Sequence, residues 1–132
     1  MKEEFWAQIK ADHPDYWSDK IRVMPDGYSN TIAHLFREVE QISAGRQLIT
    51  IDLHHYVGGG IAASMRPRTD VDEITDEQKA MLFVLMKSWS ANGDRICQMC
   101  GRPSAGILKH MDELAQEILC SEHMAERRSS DV

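Results

Sequence analysis

The chain has no long apolar run. Nothing in it approaches the roughly 18 consecutive apolar residues that span a bilayer, and its first residues, MKEEFWAQIK, lack the apolar centre of a secretory signal. These two absences make the cytoplasm the expected location and exclude a membrane partner. Basic residues are also in short supply. Lys and Arg number 15 against 21 Asp and Glu, a formal charge of -6. Nonspecific nucleic-acid binding draws its affinity from cations that neutralise phosphates. The small groups here, Arg66 with Arg68 and Arg127 with Arg128, disfavour nucleic acid as the partner and leave a protein as the expected one. Cysteine is scarce as well. An odd number, Cys97, Cys100 and Cys120, in a chain with no signal argues against a disulfide framework. Internal repeats and low-complexity tracts are missing.

At 132 residues with 42% hydrophobic composition, one domain with its own core is the natural reading. Four segments are expected within it. Residues 1–25 form a helix and a lid, 26–94 an α-β-β-α body, 95–126 a zinc-binding segment, and 127–132 a disordered tail.

The body follows from periodicity. Phe5, Trp6 and Ile9 share one side of a short first helix, which His13-Pro14-Asp15 breaks. Pro25-Asp26-Gly27 signals a turn. Ser29 or Asn30 is the expected N-cap of a second helix near 30–43, with Ile32, Leu35, Phe36, Val39 and Ile42 on its buried face and Gly45 as its stop. Leu48 to Val57 reads as a strand. Ile49, Ile51, Leu53, His55 and Val57 lie on one face, and Thr50, Asp52, His54 and Tyr56 on the other. Gly58-Gly59-Gly60 turns it into a return strand over Ile61 to Met65 that Pro67 ends. The glycine run has no accompanying phosphate-loop pattern. Thr75 and Gln78 have capping-box spacing for a third helix over about 75–91. Its centre, Met81 to Met86, is apolar on nearly every side, which predicts a central helix between the sheet and other helices. The fold class is therefore α+β, a short antiparallel sheet packed by two or three helices.

The chemistry is concentrated near the C-terminus. Cys97-Gln98-Met99-Cys100-Gly101-Arg102-Pro103 is followed, after the stretch ending at Leu119, by Cys120-Ser121-Glu122-His123. Zinc takes four ligands at tetrahedral corners, usually thiolate and imidazole. A Cys-x-x-Cys turn supplies two thiolates, and Gly101 lets the backbone fold under the sulfurs without a Cβ clash. Cys120 and His123, three apart, share a face on the first turn of a helix. Two such pairs are a far stronger signal than one. A redox Cys-x-x-Cys would leave the second pair unexplained. Four ligands close the shell, so the expected cofactor is one structural Zn2+ held by Cys97, Cys100, Cys120 and His123, in a treble-clef-like or ribbon-like site. Between the pairs, Ile107, Leu108, Met111, Leu114, Ala115, Ile118 and Leu119 have helical spacing. A hairpin turning near Met111-Asp112-Glu113 would fit a treble clef instead; residue spacing prefers the helix without closing the alternative.

These motifs resemble those of a group of small uncharacterised proteins of bacteria and their phages. The matching pieces are Asp26-Gly27-Tyr28 with the helix after it, Tyr56-Val57-Gly58-Gly59-Gly60, Arg95 to Pro103, and Leu119-Cys120-Ser121-Glu122-His123, spanning roughly 26 to 124. His54, His55 and Val57 stand where the group usually has Lys and Phe, and the gap between ligand pairs is longer, but every ligand is kept. The resemblance implies the architecture, the zinc site and the hairpin. It implies no activity.

Functionally, the expectation is a zinc-stabilised protein-binding module, phage- or mobile-element-related, with no catalytic residues. A rival is a zinc-scaffolded nuclease of the His-Asn-His type using His54 or His55 as general base. Adjacent strand residues point to opposite faces, so at most one could join a site. Another rival is a zinc-ribbon regulator of nucleic acid. Phe5, Trp6, Tyr16 and Trp17 are the densest aromatic group, read as the lid of the core, with a partner anchor as the alternative. The methionines are read as core.

Overall fold

The computed structural model describes residues 1–56, 60–68, 74–92, 95–109 and 116–130. Its elements in chain order are α1 (Glu3–Asp12), 3-10 turns over Asp19–Val23 and Asp26–Tyr28, α2 (Ser29–Ile42), β1 (Ile49–His55), β2 (Ile61–Pro67), α3 (Asp76–Asn92), β3 (Gly106–Lys109), β4 (Gln116–Leu119) and α4 (Ser121–Ser130). The fold is α+β. No described helix is long and apolar enough to cross a membrane.

α2 is the axis of the main core. Ile32, Leu35, Phe36 and Val39 are fully buried along one stripe, the spacing that a half-buried helix requires. Neither expected N-cap caps it. The Asp26–Tyr28 turn runs straight into the helix, so Ser29 and Asn30 are its first residues and Tyr28 precedes it without a side-chain cap. The far end closes as the glycine predicts. Gly45 has φ 77°, and its N–H reaches back to the Glu40 carbonyl at 3.1 Å.

β1 and β2 pair antiparallel, from Ile49 opposite Pro67 to His55 opposite Ile61. Ile49, Leu53, Ile61 and Ala63 face the core. Tyr56 N–H donates to the Gly60 carbonyl at 3.1 Å to close the turn; the turn residues 57–59 and the polar loop 69–73 lie outside the described residues.

α3 starts at the predicted capping box. Gln78 N–H donates to Thr75 Oγ1, and Thr75 N–H donates to Gln78 Oε1, both at 3.0 Å. Two side-chain bonds fasten it antiparallel to α2: Gln78 Nε2 to the Ile42 carbonyl at 3.1 Å and Trp89 Nε1 to the Thr31 carbonyl at 3.2 Å. Leu82 and Trp89 are buried on that seam. The helix is not enclosed as its all-round apolarity predicts. Its main packing is on α2 and β2, and Met81, Phe83 and Val84 are 48%, 53% and 65% exposed.

The aromatic group divides by depth. Tyr16 is 6% exposed and stacks on Phe36 with ring centroids 5.7 Å apart. Trp17 lies outside it against Trp6 at 5.9 Å, and the Arg22 guanidinium covers the Trp6 ring at 4.2 Å. Buried His13 meets Glu40 at 2.7 Å beneath this lid.

The segment between the ligand pairs is a hairpin. β3 and β4 pair from Gly106 opposite Leu119 to Lys109 opposite Gln116. The proposed turn at 111–113 lies outside the described residues. Helical spacing misleads here because the stretch is pinned at both ends: the Leu119 carbonyl accepts from Ala105 N–H at 2.8 Å, and the Ile118 carbonyl accepts from Gln98 N–H at 2.9 Å. Such cross-chain pairing satisfies backbone groups that a helix would satisfy internally. α4 also corrects the tail expected from residue 127. It continues through Ser130, held by Arg127 Nε on Glu117 at 3.1 Å, and its terminal arginines suit the negative end of the helix.

Candidate metal centre

Three pieces of backbone converge on the site. The first is a tight turn around Cys97-x-x-Cys100, closed by an antiparallel bridge between Ile96 and Pro103. Cys97 N–H donates to the Arg102 carbonyl at 2.7 Å, and Gly101 N–H donates back to Cys97 at 2.8 Å. Gly101 has φ 79°, a left-handed conformation that Gly adopts without the strain a side chain brings. The second piece is the β3–β4 hairpin. The third is α4, where Cys120 stands immediately before the helix and His123 on its first turn. Turn, hairpin and helix in this order make the site treble-clef-like.

The four predicted ligands are brought together. Their donor atoms all lie within 4.8 Å of one another. Cys100 Sγ is 3.8 Å from Cys120 Sγ, and His123 Nδ1 is 3.5 Å from Cys97 Sγ and 3.2 Å from Cys120 Sγ. A tetrahedral ion with bonds of about 2.3 Å to sulfur and about 2.05 Å to nitrogen needs edges of about 3.8 Å (S–S) and about 3.6 Å (S–N). The Cys100–Cys120 and Cys97–His123 edges fit those values, so the cluster can hold a metal ion. All three cysteines are free thiols. Cys97 and Cys120 are buried, with Leu119 fully buried beside them and Met124 packed against the group.

The local field sorts the thiols. For Cys97, burial works to raise the pKa, but backbone groups at Cys120, Met99 and Cys100 outweigh it and hold the thiol below its ordinary value. The His123 backbone, in the first turn of α4, lowers Cys120. Cys100 is pushed up, by burial first and then by the neighbouring thiols. Hydrogen bonding to the charged form favours thiolate, which is the form that binds metal.

Sequence reasoning missed how the site is seated. Gly27 N–H donates to the Gln98 carbonyl at 2.9 Å, joining the ligand turn to the start of α2. Gln98 also accepts from Ile118 N–H through Oε1 at 3.4 Å, so one non-ligand residue ties turn, hairpin and body together. Gly27 reads as an ordinary turn glycine, and no local pattern marks its long-range contact.

Neither histidine of the rival reading belongs to the cluster. His54 Nε2 sits 3.1 Å from Asp52 on the solvent face of β1. Lys20 Nζ donates to Asp52 at 2.9 Å and holds its carboxyl below the usual range. His55 packs against Tyr28, centroids 5.7 Å apart, and burial pushes its imidazole below its ordinary value.

Comparison with family models, curated proteins and solved structures gave no significant match to this chain.

Proposed function

We propose that the chain is a zinc-stapled protein-binding module in which the metal has a structural role and the outer face of α3 makes the contact. The observation that carries the reading is the exposure of Met81 and Val84, three apart on α3 beside its groove against α2, with Phe83 exposed on the other flank of the helix. Large apolar side chains grouped on a surface mark interaction sites more often than isolated ones do. The choice of zinc is supported by the donor set, three thiolates and an imidazole, and by edges that suit its bond lengths. Four protein ligands complete a tetrahedral shell and leave no coordination position for a substrate. The resemblance to bacterial and phage proteins supports a partner from a host or its phage.

The test is cross-linked affinity capture from the native host with the wild-type chain and with Val84→Asp. A protein held by the wild type and lost with Val84→Asp, at equal metal content and melting temperature, supports the reading. Equal capture by both variants removes α3 as the contact. Recovery of nucleic acid that salt disrupts would favour the regulator. Metal-dependent cleavage of DNA or RNA that disappears in a His54→Gln, His55→Gln double variant would favour the nuclease.

A further inference from the structure

α3 carries its exposed side chains in an ordered way. Its buried seam is Gln78, Leu82, Leu85 and Trp89, three and four residues apart. At 3.6 residues per turn, the side away from this seam carries a stripe of Ala80, Val84, Lys87 and Ala91, with Glu77 and Met81 on its α2 flank. All six are exposed. On the α2 side the stripe borders a groove of about 550 Å³ whose floor includes Ile42, Val84 and Leu85 and whose rim includes Glu38 and Gln41. On the β2 side Phe83 flanks it, with Lys87 Nζ 4.9 Å above the ring.

This stripe is complementary to itself in the antiparallel sense. With Val84 on a two-fold axis, Val84 meets Val84 of the other copy, Ala80 meets Ser88, and Glu77 comes level with Ala91. Small residues on both sides of the axis allow the helices to approach closely, and Met81 is aimed towards the groove beside the opposite α3. The charges agree with this register. Acid lies at the N-terminal end of α3, at Asp76 and Glu77, and Lys87 lies towards the other end. Antiparallel pairing places Lys87 of one copy about one helical turn, roughly 6 Å along the axis, from Glu77 of the other. A parallel pair would set like charges level. The α2–α3 antiparallel pair would thus become half of a four-helix arrangement, in which an isologous contact closes on itself and stops at two copies.

Resting on the reading of α3 as a contact surface, we propose that its occupant is a second copy of this chain, docked α3 to α3 about Val84, with reciprocal Glu77–Lys87 pairs. A helix of this length extends about 25 Å, and one helix-on-helix contact of that span is at the small end of specific interfaces. The dimer is therefore concentration-dependent.

The experiment is sedimentation velocity with light scattering on the full, metal-loaded chain across a wide concentration range. The wild type should move from one chain mass to two. Val84→Asp should remain monomeric where the wild type is mostly dimer, with unchanged metal content and melting temperature. Glu77→Lys and Lys87→Glu should each weaken association by about tenfold through like-charge juxtaposition, and the double reversal should recover most of it. The charge pair reads the interface independently of Val84. A wild type that stays monomeric at every concentration overturns the proposal. So does a dimer indifferent to Val84→Asp, or a double reversal no better than either single change. A monomeric wild type that still captures another protein through Val84 overturns the second copy and leaves the binding-module reading intact.

Discussion

Gly27 and Gly101 lie back to back, so that a Cβ on either would enter the other's strand of chain. A Cβ on Gly101 would stand 2.8 Å from the Gly27 carbonyl oxygen, and one on Gly27 would overlap the Cys97 carbonyl and come within 2.6 Å of the Gln98 carbonyl oxygen. The opposing atoms are backbone, which cannot swing aside as a side-chain tip can. The ligand turn is thus seated on the start of α2 by the absence of two methyl groups.

Gly27→Ala should therefore lower stability by about 1–3 kcal/mol, the usual range for overpacking, and weaken metal retention. Gly101→Ala should do the same with added backbone strain at φ 79°. Because the two sites touch, their costs should not add. Chemical denaturation with a competing chelator reads both effects. A Gly27→Ala chain with wild-type stability and metal affinity would show that the seat is loose.

Metal content gives the second prediction. Elemental analysis of protein purified without added metal should return about one zinc per chain, because binding free energy of a structural site adds to folding free energy. Cys97→Ser or Cys120→Ser should abolish it and lower the melting temperature. Full stability without bound metal would refute a structural role.

His55 predicts a pH dependence. Burial holds its folded pKa below the ordinary His value, so the unfolded chain takes up a proton first as pH falls. Stability is unaffected above the unfolded pKa of about 6.5 and declines as pH falls from there towards the lower folded pKa. His55→Gln should flatten that part of the curve. The difference between wild type and variant, measured by denaturation from neutral to mildly acidic pH, isolates the histidine from acid release of metal. Parallel curves would mean that His55 protonates freely in the fold.

The aromatic lid gives the fourth. Tyr16→Ala should cost about 3–5 kcal/mol, as for other large buried aromatics. Trp17→Ala should cost less, since Trp17 is only partly buried. Neither should change association in proportion to Val84→Asp. An unchanged melting temperature for Tyr16→Ala would return this group to the role of partner anchor.

Much of this molecule was legible before its structure. The cluster of Cys97, Cys100, Cys120 and His123 was legible because Cys-x-x-Cys and Cys-x-x-His are local patterns, each completed within one turn of chain. The capping box of α3 and the stop of α2 at Gly45 are local for the same reason. What was misread depends on distant neighbours. α3 is apolar all round, and periodicity cannot say whether Met81 and Val84 are covered by another element or left outward. The stretch 105–119 has helical spacing, and only its anchors at Gln98 and Ala105 make it a hairpin. Gly27 has the sequence of a turn and the role of a seat. The predicted caps at Ser29 and Asn30 failed because a 3-10 turn had already begun the coil.

The seating of the ligand turn on Gly27 also bears on the order of events as the chain leaves the ribosome. The α2 helix and its preceding turn emerge long before Cys97, and Cys120 and His123 come later still. A domain generally folds as a unit, so the ligand turn and the start of α2 close on each other only once the chain is long enough to carry both. Until Cys120 and His123 follow, Cys97 and Cys100 face the thiols and metal carriers of the surrounding solution, and an ion held by them alone would have half a shell. The first turn of α4 is the piece that would complete it.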